Sequence, residues 1–443
     1  MDSVTTVSVC PDSPSGRRTA DRCGPCHRVY PNRRCSMKSR PQVRLIPVLA
    51  AVAVFTMSVS FWATACAEDV IKIGAAVSLS GKFAREGEFL KQGYDYWKDA
   101  ANAQGGVKIG DKKYKVEIVY NDDESDPQTS ARLTEKLITE DKVKFLFGPY
   151  SSGIATATAA ISEKYNMLTM VPMATADSIY QRGYRYVFCP SPLASTGLYP
   201  ILDLIGTLEK RPATMAIVGP DSLFPNITAE AAQKKAEEMG IKVVYLGKYP
   251  QSAADLSSVA TAVKGANPEA ILCTGYTQDS ILLVKSMREL QVNPKLVGLA
   301  MSIAVPDFRN ALGSAANQVM GTDYWVPTLT YTGIIVKDSD TYAKTYKEKF
   351  QKDPTYQAAS GTAAGIILQM AVESAGSLDT NAVREALLKL KGQTFYGDFQ
   401  FNEQGVNTAA KLSVTQIQDG QPKVVFPIQV RQTPVQYPKA PWN

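Results

Sequence analysis

From residue 69 onward, short apolar runs alternate with longer stretches whose apolar residues recur every three to four positions. The runs at 70–77, 114–120, 145–147, 168–171, 186–188, 215–218, 243–245 and 270–272 read as strands. The stretches at 84–103, 127–140, 154–165, 230–239, 256–263 and 280–289 read as helices. Strands joined by helical crossovers predict parallel sheet covered on both faces. The runs at 399–401, 412–417 and 424–430 differ, being strand-like with Gly-containing turns and no helix between them. So many βα units exceed one comfortable sheet, and two α/β lobes are predicted. Pro190-Ser191-Pro192 is the first boundary, because two prolines stiffen a connector. Pro327 is the second and 411–413 the third. One lobe then takes 69–190 and 327–413, the other 191–326 and 414–431, with a tail at 432–443.

Composition narrows the class. The chain has 443 residues, 45% hydrophobic and 20% charged, which excludes a disordered chain or a coiled coil. The net charge of +6 is uneven. Residues 1–67 hold nine basic and three acidic side chains, which accounts for all of it. The body is neutral and offers no case for nucleic acid, which requires a basic face.

The first 67 residues read as a leader. The stretch 45–67 is apolar and uncharged, Lys38, Arg40 and Arg44 precede it, and Ala65-Cys66-Ala67 closes it as a small-residue cleavage pattern. Met37 opens a signal of ordinary length and is the expected start. A permanent anchor and a lipid attached at Cys66 are the competing readings. Cys23-Gly24-Pro25-Cys26-His27 matches haem-attachment and dithiol patterns, but its flanks lack the periodicity of a folded pocket. His27 is the only histidine in the chain. The exported body therefore has none, which removes Ser-His-Asp and Cys-His catalysis and His-ligated metals. No cofactor or metal is expected. Cys189 and Cys273 sit in apolar runs and read as buried small hydrophobes.

Open α/β sheets bind ligands beyond the carboxyl ends of strands, near helix N-termini. Two turns stand out: 147–153, containing Tyr150, Ser151 and Ser152, and 170–177, containing Met173, Ala174 and Thr175. Each puts hydroxyls and free amides past a strand end, where partial positive charge suits a carboxylate. The simpler reading is that these Ser and Thr residues are helix caps. No phosphate-cradling glycine loop is present. The acidic cluster Asp122, Asp123, Glu124 and Asp126 could hold a hard cation, but a solvated loop capping the helix at Pro127 is the plainer account.

These turns, in this order, resemble the periplasmic ligand-binding proteins of branched-chain amino-acid ABC importers and their aromatic-acid-binding relatives. The matching features are 73–81, Gly93, Asn102 with Gly105-Gly106, 122–127, 148–152, 181–184 and 398–405. The resemblance implies two Rossmann-like lobes joined by three crossovers, the type I periplasmic binding fold. It implies a ligand carboxylate held by Ser151, the backbone at Met173 and Ala174, and the Thr175 hydroxyl. It implies a second lobe that closes with Phe224, Tyr276 and the turn Ala300-Met301-Ser302, although ordinary core packing also explains the two aromatics. Members that bind amino acids carry an acid in that third turn, and 298–302 has none. Glu86 departs from the aromatic expected at the cleft edge. An unpaired ammonium in a closed cleft is costly, and Asp221 or Asp279 would have to substitute.

The expected function is therefore a periplasmic solute-binding protein, not an enzyme. It would act as a monomer, closing over a small carboxylate and delivering it to a membrane permease. An aromatic or phenyl-keto acid is favoured over a branched-chain or neutral amino acid. A ligand sensor is the other binding role; a hydrolase using Ser222 or Ser151 is left only Ser-Lys or carboxylate chemistry, and no S-x-x-K stands in the candidate turns.

Overall fold

The computed structural model describes residues 70–301 and 303–442. The leader, its cysteines and Ser302 lie outside them. The first sheet is built from β1 (Val70–Val77), β2 (Val107–Ile109), β3 (Lys112–Asp122), β4 (Phe145–Phe147), β5 (Thr169–Met170) and β6 (Val187–Phe188). Its order is β2-β3-β1-β4-β5-β6, parallel except for the β2–β3 hairpin. Helices α1 (Ala84–Ala103), α2 (Pro127–Thr139), α3 (Ser152–Lys164) and α4 (Asp177–Tyr180) lie between these strands. Alternate residues of β1 serve opposite faces. Ile71, Ile73, Ala75 and Val77 enter the core with Leu90, Tyr94 and Trp97 of α1, while Ala76 packs with Leu137 of α2.

After α5 (Tyr199–Gly206) the chain builds the second sheet. Its elements run β7 (Thr214–Pro220), α6 (Leu223–Glu238), β8 (Lys242–Tyr249), α7 (Ser257–Ala266), β9 (Ala270–Cys273), α8 (Thr277–Glu289), β10 (Leu296–Leu299), α9 (Pro306–Leu312) and β11 (Met320–Asp323). The chain then returns to the first lobe with α10 (Ser339–Phe350), α11 (Tyr356–Ala375) and α12 (Thr380–Lys389), followed by the ribbon β12 (Lys391–Thr394) and β13 (Gly397–Gln400). Finally β14 (Ser413–Gln418) and β15 (Gln421–Phe426) add antiparallel to the second sheet, in the order β15-β14-β11-β10-β9-β7-β8. The expected strand at 424–430 stops at Phe426, because Pro427 cannot donate to the ladder and Ile428–Val430 forms one 3₁₀ turn.

Three passages thus join two α/β lobes, a type I periplasmic binding protein fold. Two of the passages are tied together: Cys189 N–H donates to Gly405 O at 2.7 Å, and Asn407 Nδ2 donates to Pro190 O at 2.8 Å. Helices α1 and α11 touch backbone to backbone. A Cβ at Gly93 would sit 2.1 Å from Ala358 O, so only glycine permits the approach.

Candidate functional site

The site begins where β4 and β5 end. Ser151 occupies the N-cap of α3 in extended geometry, yet its side chain makes no capping bond. The first-turn amides of α3 also lack intrahelical acceptors, as at any helix start. The Ser152 hydroxyl turns the other way and accepts from Ala176 N–H at 3.2 Å, bracing the second turn against the first. Tyr180 donates to Ala174 O at 2.7 Å, Ser360 donates to Pro172 O at 3.1 Å, and Ala194 N–H donates to Thr175 O at 2.9 Å. Met173 and Ala174 are buried in this rigid turn. The Thr175 hydroxyl is fully buried and makes no hydrogen bond of good geometry. Its polar neighbour is the Tyr324 hydroxyl, just beyond β11, which is close enough to interact with it but is likewise without a well-formed bond. A buried hydroxyl left without a good bond costs about 1–3 kcal/mol.

The second lobe supplies the opposite wall. Ser222 stands at the N-cap of α6 in extended geometry, and its buried hydroxyl lies beside the Tyr276 phenol without a well-formed bond. Phe224 follows, 3% exposed, with its ring centroid 5.9 Å from that of Tyr276. Tyr276 begins α8, its N–H held by Asp279 Oδ2 at 2.9 Å. Ala300 and Met301 follow β10 and are buried.

The lobes meet through these groups. Phe83, from the turn before α1, packs edge-on against Tyr276 at 5.5 Å and lies 6.1 Å from Tyr150. The Tyr150 and Tyr356 hydroxyls stand 3.2 Å apart, and both reach Met301 Sδ, at 3.4 and 3.1 Å. At the rim, Arg85 grips Asp307 with two bonds of 2.9 and 3.0 Å, and Lys82 donates to Gln251 O. Aromatic rings hold the middle of the interface.

Burial sets the electrostatics. It pushes the Tyr150, Tyr276, Tyr324 and Tyr356 phenols up, keeping them neutral donors. It also raises Glu86 and Asp279 from their ordinary values. Asp221 is exposed and accepts from Asn226 Nδ2 at 2.8 Å, away from the aromatic layer.

The residues expected from the sequence thus fall on two facing walls. Tyr150, Ser151, Thr175 and Glu86 stand on the first, and Phe224, Tyr276, Ala300 and Met301 on the second. Sequence reasoning missed Phe83, Tyr324 and Tyr356, which carry no motif and join the site only through tertiary packing. The acidic cluster is spent locally. Asp122 accepts from the Leu79, Ser80 and Glu124 amides, Asp123 from Ser78 and Ser125, and Asp126 from Thr129 N–H at the cap of α2. Cys189 and Cys273 are buried free thiols that burial pushes up to about 12, so neither is reactive at neutral pH.

The profile of the periplasmic binding protein family matches residues 70–422. This chain belongs to that family. As a periplasmic binding protein it is a binder rather than an enzyme. It is 26% identical over 375 residues to Leu/Ile/Val-binding protein homolog 7 of Brucella abortus, covering 81% of this chain and 91% of that one. Among solved structures, the LivJ substrate-binding protein of Streptococcus pneumoniae, in complex with isoleucine, superposes with a TM-score of 0.69 at 20% identity, covering 81% and 100% of the two chains. A solute-binding protein of R. palustris in complex with benzoate superposes at 0.70 and 19%, covering 80% and 95%.

Proposed function

We propose that this periplasmic binding protein captures a small organic acid for the permease of an ABC importer. Ser151, the Thr175 hydroxyl, the amides at Met173 and Ala174 and the start of α3 hold the carboxylate. Phe224 and Tyr276, with Tyr150 and Met301, enclose a body that is aromatic or of similar apolar bulk. The three passages between the lobes act as the hinge. The protein works as a monomer in the periplasm, where residues 37–67 direct it. Closure is driven by what the guest gains from touching both lobes at once.

One observation carries this reading: the Thr175 hydroxyl is fully buried without a well-formed bond, in the turn that Ser152 at the start of α3 braces. A carboxylate there accepts what the protein leaves unaccepted. The neighbours bind guests of the same kind, isoleucine in one case and benzoate in the other. Intrinsic-fluorescence titration tests the proposal. Acids with a phenyl body should give a saturable response and leucine a weaker one. A strong response to leucine with none to phenyl-bearing acids would sink the aromatic assignment.

A further inference from the structure

The turn between β1 and α1 reaches across the gap at three points, and none of them needs a guest. Lys82 donates to Gln251 O, beyond β8. The Phe83 ring meets Tyr276, at the start of α8, at 5.5 Å. Arg85 Nε and Nη2 donate to the two carboxylate oxygens of Asp307, in α9, at 2.9 and 3.0 Å. Three neighbouring residues of the first lobe thus engage three separate elements of the second. The turn itself is held from below. Asp122 Oδ1 accepts from the Leu79 and Ser80 amides at 2.9 and 3.1 Å. The Ser125 hydroxyl donates to Ser80 O at 2.7 Å and accepts from Phe83 N–H at 3.0 Å. Gly81 has φ 76°, and a Cβ there would stand 2.5 Å from Glu124 O, so glycine lets the two segments touch. None of these bonds involves the second lobe, and the acidic loop that could have held a cation is the footing of the turn. The Arg85 guanidinium is steadied further over the Phe89 ring, 4.5 Å from its centroid. A fork fixed in this way gives up less side-chain freedom when it pairs.

We infer that Arg85 and Asp307 form a latch that positions the lobes against each other independently of the guest, so that the ligand-free protein populates the closed form. The inference uses the closure of two lobes but not the identity of what they enclose. The two side chains are 52% and 37% exposed. Many surface ion pairs contribute nothing measurable, and all are screened by salt. This one is gripped at two points, rises from a braced turn and joins two bodies that move relative to each other. It should contribute about two- to fivefold to the closed-to-open ratio, the upper part of the range for exposed pairs.

Methionine-methyl NMR of the ligand-free protein reads the latch from inside. Met301 Sδ lies 3.4 and 3.1 Å from the Tyr150 and Tyr356 hydroxyls of the first lobe. Those rings therefore shift the Met301 methyl signal, assigned by its loss in Met301→Leu, only while the lobes are shut. The unaltered protein should show the shifted signal. Arg85→Ala and Asp307→Ala, both at the rim and outside the core, should each lower the closed-to-open ratio about two- to fivefold, and the double variant no further. Exchanging the charges, Arg85→Asp with Asp307→Arg, should recover part of the loss. Added salt should lower the ratio in the unaltered protein and leave the double alanine variant unchanged. An unshifted Met301 methyl in the unaltered protein, additive losses in the double variant, or salt dependence that survives without the pair would overturn the inference. No ligand is added, so failure of the proposed guest and failure of the latch are read separately.

Discussion

Thr175→Val separates binding from folding by sign. Valine keeps the shape of threonine and deletes the hydroxyl, which in the free protein is fully buried and has only the Tyr324 hydroxyl beside it, without a well-formed bond. In the unfolded chain that hydroxyl is hydrated, so burying it unpaired costs about 1–3 kcal/mol. The ligand-free variant should therefore be more stable by an amount in that range, read as a higher urea midpoint at unchanged m-value. In the complex the hydroxyl donates to a carboxylate, a bond worth about 1.5–3 kcal/mol. Affinity should fall by roughly 10- to 150-fold, at about 1.4 kcal/mol per factor of ten. One substitution thus strengthens the empty protein and weakens the complex. Loss of stability without ligand would show that the hydroxyl has a partner inside the protein. Unchanged affinity would show that the guest does not reach it.

Other expectations follow from the same geometry. Ser151→Ala should weaken carboxylate binding by about 1–2 kcal/mol in calorimetry, with little change in stability because the hydroxyl caps nothing. Phe224→Ala should cost an aromatic ligand more affinity than an aliphatic one; equal losses would argue against ring contact. Asp323 ends β11 at the passage back to the first lobe, buried, and burial pushes it up to about 7. Its proton is held more tightly in the folded state, so the associated stability is complete below about pH 4 and is lost as pH rises through 7. Asp323→Asn should flatten that decline and stabilise the protein by a few kcal/mol at pH 8, measured by urea unfolding across pH. Gly93→Ala should destabilise the first lobe by about 1–3 kcal/mol, because the new methyl meets the Ala358 backbone oxygen; an unchanged melting temperature would contradict the close approach.

Much of the fold was legible because local and global signals agreed. The expected 70–77, 84–103 and 145–147 coincide with β1, α1 and β4. These are segments with a clear period and strong punctuation at their ends. The region 290–398 gave no element, although β10, β11 and α9 to α12 lie there. In α11 the reason is physical: Tyr356–Ala375 is buried almost all round and rich in small residues, so it presents no amphipathic stripe. The β2–β3 hairpin was also missed, because β2 is three residues long and β3 opens with exposed lysines. For the site, strand-to-helix position pointed to the turns after β4 and β5, but not to which hydroxyl is free. Ser151 and Ser152 are indistinguishable in sequence, and only packing shows that Ser152 braces Ala176 while Ser151 is uncommitted. Tyr324 and Tyr356 come to lie beside Thr175 and Tyr150 only through the tertiary arrangement of the passages between lobes.

The most direct measurement is a crystal structure of the protein with its ligand bound. The account predicts a carboxylate within about 2.7–3.0 Å of the Ser151 and Thr175 hydroxyls, with the body of the ligand between Tyr150 and the Phe224–Tyr276 pair. A ligand bound outside the interlobe gap, or one whose carboxylate faces the second lobe while Thr175 stays unbonded, would contradict it.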